Sequence, residues 1–141
     1  MKLAFYVGPG TFWDRMVRIA TWSRFSHVEM IFGESGGGTW FSSSPRDGGV
    51  RFKRILPKPG HWVIVDLPAG VGSNSLNLYG KAVTRIGARY DWLGAFNAIF
   101  PWRWQSRKRW FCSELVADLL DLPQPEKWTP ERLYQKFTEK E

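Results

Sequence analysis

Residues 110–122 constrain this chain more than any other stretch. Trp110-Phe111-Cys112-Ser113-Glu114-Leu115-Val116 opens a run in which Leu115, Val116, Leu119, Leu120 and Leu122 recur at near-helical spacing. An apolar approach segment therefore becomes a helix within a residue or two of Cys112, which puts the thiol at the helix N-terminal end. Unpaired backbone donors and the positive end of the helix dipole favour a thiolate in such a place. A buried cysteine acting as a small hydrophobe is the competing reading. A base within reach of the sulfur separates the two.

Cys112 is the only cysteine, so no disulfide forms within the chain and a reducing, cytoplasmic compartment is expected. The apolar run at residues 2–7 stops at Gly8-Pro9-Gly10, too short for a signal-peptide core, and no later stretch approaches a membrane-spanning length. With 141 residues, 43% of them hydrophobic and 23% charged, one domain over 1–141 with its own core is expected. The net charge of +7 suits nucleic acid, anionic lipid or an acidic cell-wall polymer without choosing among them.

In chain order, residues 2–7 read as a strand. Thr11 and Asp14 have the spacing of a helix-capping pair for residues 12–22, whose Phe12, Trp13, Met16, Val17 and Ala20 are expected against a sheet with Asp14, Arg15 and Arg18 in water. Ser26 to Phe32 alternates with period two, which places His27 and Glu29 on one strand face. Glycines at 33–38 turn the chain toward a strand at 39–42 and carry no phosphate-binding fingerprint. Short strands are expected near 50–55 and 61–67. A helix capped by Ser73 or Ser75 should run to about Gly87 on Leu76, Tyr79, Val83 and Ile86, with a short apolar helix at 92–99. Residues 100–110 read as an exposed loop, and Thr129-Pro130 starts a last helix.

A thiol nucleophile needs a base and a third group that fixes the imidazole. Of the two histidines, His27 is mid-strand beside Ser26 and Glu29, whereas His61 follows Pro59-Gly60 in a turn; His27 is favoured. The Cα atoms of His27 and Glu29 should lie roughly 6.5 Å apart on one face, so the carboxylate can hold the ring; Ser42 on the neighbouring strand competes for that role. Ser113, Glu114 and Asp91 read as helix-start or capping residues. The spacing of cysteine and histidines matches no zinc pattern, so neither metal nor cofactor is expected.

Ser26-His27-Val28-Glu29, Arg89-Tyr90-Asp91-Trp92 and Trp110 to Val116 together resemble the circularly permuted papain-like hydrolases of the NlpC-type superfamily, in its YiiX-like branch. The order, histidine first and cysteine about 85 residues later, is what the permuted branch implies. The resemblance runs from residue 1 to about 133. It implies an α+β permuted papain-like fold, an antiparallel central sheet packed by helices. It also implies Cys112 as nucleophile, His27 as general base, Glu29 as third polar residue and Tyr90 as an auxiliary hydroxyl. Cell-wall peptides or lipid acyl groups are the implied substrates. The chain departs from the pattern in a Trp/Arg-rich insert at 102–110 and in lacking a lipoprotein or secretion signal.

Trp102, Arg103, Trp104 and Arg107 are the expected substrate- or surface-binding residues, suited to a peripheral membrane contact. The rival function is a nucleic-acid-binding module in which these side chains, with Lys108, Arg109 and Trp110, stack on bases and contact phosphates.

Overall fold

Alternation at residues 27–32 becomes a central strand of a seven-stranded sheet. The computed structural model describes residues 1–33, 38–72, 74–91 and 109–139. In these residues the strands are β1 (Lys2–Tyr6), β2 (His27–Phe32), β3 (Thr39–Ser44), β4 (Gly49–Lys53), β5 (Trp62–Asp66), β6 (Arg89–Tyr90) and β7 (Arg109–Trp110). The helices are α1 (Phe12–Thr21), α2 (Ala69–Gly72), α3 (Ser75–Arg85), α4 (Cys112–Leu119) and α5 (Pro130–Thr138), with a single 3₁₀ turn at Pro125–Lys127. The sheet order is β5-β1-β2-β3-β4-β6-β7, antiparallel except for the last pair. This is the expected α+β arrangement, a largely antiparallel sheet packed by helices.

Both sheet faces are covered, each by different chemistry. Val28 and Met30 of β2, with Leu3, Phe5 and Phe41, meet Leu115, Val116 and Leu119 of α4 in the main core. Truncating one of these leucines to alanine costs about 2–5 kcal/mol. On the other face Ala4, Ile31 and Trp40 form a small second cluster with Ile55 and Trp62, and beyond it the same face turns polar at Glu29 and His27. The register explains the proximity of the strand ends: Tyr6 faces His27, and Ser44 faces Gly49, at one end of the sheet.

Gly49 fixes what comes next to that end. A Cβ there would lie 2.1 Å from the Ala88 carbonyl oxygen, so only glycine lets the 88–90 segment lie this close to β4. Val50 then donates to Ala88 at 2.8 Å, and Tyr90 follows immediately.

Three expectations are corrected. The expected apolar side of α1 packs only in part: Val17 lies against the main core and Met16 and Ala20 are half-buried, but no residue of the helix is fully buried, and Phe12 and Trp13 are exposed. Asp14 and Arg18 are half-buried instead, Asp14 closing the capping box with Thr11 and Arg18 bound by a carbonyl beside the sheet end. The Asp14 carboxylate accepts from the Thr11 N–H (2.6 Å) and hydroxyl (2.9 Å), and Arg18 donates to the Gly8 carbonyl at 2.8 Å. In α3 the core takes Leu78 and Ala82, while Leu76, Tyr79, Val83 and Ile86 stay exposed; Tyr79 is drawn to the sheet margin by stacking on Phe52, with ring centroids 5.1 Å apart. Finally, residues 109–110 are not loop but a parallel strand on β6. The expected helix at 92–99 and the glycine turn at 34–37 lie outside the described residues. No described helix is long and apolar enough to cross a membrane.

Candidate active site

The loop-to-helix junction falls where the sequence placed it, with α4 beginning at Cys112. Its N-cap is Phe111, which has extended backbone and no side chain able to accept the first-turn amides. Ser113 cannot serve as a cap or a nucleophile: its hydroxyl donates to the Trp128 carbonyl at 2.7 Å and ties the helix start to the segment before α5.

His27 is the first residue of β2 and exposes 18% of its side chain, against 1% for Glu29. His27 Nε2 and Glu29 Oε1 are 2.8 Å apart. Cys112 acts on the same ring through its charge and a hydrogen bond. Burial alone would lower the imidazole pKa. The Cys112 charge and hydrogen bond outweigh it, followed by those of Glu29, and raise His27 to about 10. The arrangement is thiol, imidazole and carboxylate in one line.

Arg51, which sequence reasoning missed, completes the line. On β4, opposite Ser42, it donates from Nη1 to Glu29 Oε2 at 2.8 Å and from Nη2 to Oε1 at 2.7 Å. Its Nε donates to Asp47 Oδ2 at 2.7 Å, and Lys53 donates to Asp47 Oδ1 at 3.0 Å. Burial would raise the Glu29 pKa, but Arg51 and then His27 hold it below the usual carboxylate range. The available signal was the spacing Asp47…Arg51…Lys53, but its link to Glu29 depends on a strand register that single-sequence reading does not supply. Ser42, the competing orienter, is excluded by its bond to the Val28 carbonyl at 2.7 Å.

Tyr90 also belongs to this group. Burial is the first cause that raises its hydroxyl pKa, followed by the negative charge of Cys112 and then of Asp91 and Asp14. A cleft of about 370 Å³ opens beside these residues. Tyr6, Trp13, Val17, Ile55 and Trp62 give it apolar walls, and its charged lining is paired: Arg46 with Asp14, Arg51 with Glu29 and Asp47, and Lys53 with Asp47. His27 and Tyr90 line this cleft, whereas Cys112 is fully buried and does not. The two rings therefore stand between the sulfur and the cleft. His61 is elsewhere, edge-on to Tyr6 with its carbonyl accepting from Val7 and Gly8. Trp102, Arg103, Trp104 and Arg107 lie outside the described residues.

The fold as a whole matches a known architecture. The chain is similar to the crystal structure of metalloprotein YiiX from Escherichia coli O157:H7, with a TM-score of 0.61 over 97% of this chain at 20% identity. The fold is YiiX-like. The chain spans 64% of the length of that protein. No family model matches the sequence, and no curated protein matches it.

Proposed function

We propose that the protein is a cysteine-dependent acyl hydrolase or acyltransferase, with Cys112 as nucleophile, His27 as general base and acid, and Glu29 as the residue that orients the ring. The observation that carries this reading is His27, held to Glu29 at 2.8 Å and acted on by the charge and hydrogen bond of Cys112. The thiol proton passes to His27, and the resulting thiolate attacks the carbonyl carbon of an amide, ester or thioester. The carbon–oxygen π pair moves onto oxygen, for which the amides at the start of α4, without a side-chain cap, are the proposed donors. The tetrahedral intermediate collapses as the bond to the leaving group breaks, and His27 gives that group its proton. Water, or a second acceptor, then attacks the acyl-cysteine with His27 as base and releases the acyl product and the free thiol.

Arg51 gives Glu29 a fixed role. A carboxylate held by both guanidinium nitrogens orients the imidazole but does not take its proton. The aromatic and aliphatic walls of the cleft suit the apolar part of an acyl or peptidyl group, which is compatible with both lipid acyl and cell-wall peptide substrates.

YiiX is described as a metalloprotein. The residues of the present chain do not fit a metal at the His27–Glu29 position. Both Glu29 oxygens are taken by a guanidinium within 2.8 Å, and among the described residues no group of three or more His, Cys, Asp or Glu could hold an ion. No step of the proposed reaction is routed through one.

Electrophilic amide, ester and thioester probes test the reading. Wild-type protein should become acylated at Cys112, Cys112→Ala should not react, and His27→Ala should react far more slowly. Undiminished turnover in Cys112→Ala would end the proposal.

A further inference from the structure

The outer side of α1 carries an apolar surface with an arginine beside it. At 3.6 residues per turn, Phe12, Met16 and Ile19 share one side of the helix, flanked by Arg15 and by Trp22 at the C-cap. Phe12 is 69% exposed, Ile19 72% and Trp22 95%. Arg15 on the same side is exposed, whereas Arg24, two residues after Trp22, is engaged within the fold, over the Phe25 and Tyr134 rings and 4.0 Å from Glu131. The opposite side of α1 carries Asp14, Val17 and Arg18, bound to the sheet end and the cleft. Large apolar side chains facing water beside an exposed arginine mark an interaction surface.

Trp22 supplies a second observation. Its backbone has φ of +49°, a left-handed conformation that bulky residues rarely adopt and that glycine adopts freely. A tryptophan at a helix end that favours glycine gains nothing for the fold while its ring lies in solvent. An indole is well suited to the boundary between water and lipid.

We infer that the outer side of α1, through Phe12, Ile19 and Trp22 with Arg15, docks the protein on an anionic lipid surface. Charge decides between occupants. The chain carries +7, and a second copy on this face would set like-charged chains and their Arg15 side chains together, whereas an anionic headgroup layer complements Arg15 and the net positive charge. A helix with a large apolar side and a flanking arginine lies in the interface plane with that side in the acyl boundary. Trp13 and Val17 reach from the same helix into the cleft, so docking sets the cleft beside the lipid. The inference goes beyond the reaction assigned to Cys112 and does not depend on it.

Co-sedimentation of the full chain with vesicles, in physiological salt and without any activity readout, tests it. The chain should partition to phosphatidylcholine vesicles containing phosphatidylglycerol and stay in solution with phosphatidylcholine alone. Phe12→Ser with Ile19→Ser should cut partitioning by roughly tenfold or more, and Arg15→Glu should weaken it on anionic vesicles. Trp22→Gly should reduce binding while its thermal midpoint holds or rises, because glycine suits the positive φ. Equal retention on neutral vesicles, or retention unchanged in the double variant, overturns the inference. So does a lower midpoint for Trp22→Gly with unchanged binding, or a concentration-dependent dimer that the double variant abolishes.

Discussion

Arg51 holds both carboxylate oxygens of Glu29, at 2.7 and 2.8 Å, and thereby fixes the group that fixes His27. The pair is buried: Glu29 exposes almost nothing, and Arg51 is itself anchored by Asp47. Removing one partner from such a pair strands a charge in a poorly solvated place. Arg51→Met should therefore destabilise the protein by about 3–5 kcal/mol, measured by denaturant unfolding. The double variant Glu29→Gln with Arg51→Met should recover much of that loss, since no unpaired charge is left. Arg51→Lys keeps the charge but not the two-pronged geometry, so it should retain more stability than activity. Additive losses in the double variant would show that the two side chains act separately.

The pH dependence follows from the same line of groups. His27 is raised to about 10 from 6.5, so between these values the folded state holds a proton that the unfolded state has released. Its contribution is complete below pH 6.5 and is lost as pH rises through about 10. Glu29 runs the other way: its pKa is lowered from 4.5, so its contribution is present above 4.5 and is lost as pH falls toward the folded value. Thermal midpoints of wild type should fall more steeply than those of His27→Gln between pH 7 and 10. Cys112 charge is the largest of the raising causes, so Cys112→Ser should lower the His27 pKa, read from its imidazole resonances by NMR. An unchanged titration in that variant would mean that sulfur and ring do not interact.

How far the sequence led depends on whether the deciding contacts were local. Cys112 at a helix start, His27 and Glu29 on one strand face, and the Thr129–Pro130 helix start each follow from a period or a cap, and all stand in the fold. The Arg51–Glu29 pair spans 22 positions and depends on β2, β3 and β4 lying side by side in one register, so no local pattern announces it. The α1 expectation held only in part, for a different reason. Hydropathy assigns apolar residues to the interior, but the carbonyl of Gly8 and the Ser26 hydroxyl offer Arg18 partners beside the sheet end, and Arg18 is half-buried there. In α3 the narrow core position accepted Leu78 and Ala82 rather than the larger set at Leu76, Tyr79, Val83 and Ile86.

Cover over the sulfur should be visible as size selectivity. Cys112 is fully buried, while His27 and Tyr90 line the cleft that a reagent enters. Small alkylating agents such as iodoacetamide should modify Cys112 much faster than bulky maleimides of comparable intrinsic reactivity. Tyr90→Ala should narrow that gap by opening one side of the cover, whereas Tyr90→Phe should leave it nearly intact. Mass spectrometry of the alkylated peptide against time measures both. Equal rates for small and bulky reagents in wild type would show that the rings do not gate the thiol.

Gly49 tests whether the site is assembled by backbone approach rather than by its side chains alone. An added Cβ would meet the Ala88 carbonyl oxygen at 2.1 Å and the Arg89 Cα at 3.0 Å, both backbone atoms that cannot rotate away. The 88–90 segment must then move from β4, loosening the Val50 to Ala88 hydrogen bond and shifting Tyr90 relative to Cys112. Gly49→Ala should cost about 1–3 kcal/mol as overpacking and should change the size selectivity of Cys112 alkylation in the direction of Tyr90→Ala. Gly60→Ala is the control. It also has positive φ, but nothing lies within 4 Å of its added Cβ, so it should carry the backbone strain without moving Tyr90. Altered alkylation selectivity in Gly60→Ala as well would assign the effect to general loosening of the fold; selectivity changed in Gly49→Ala alone would assign it to the β4–β6 approach.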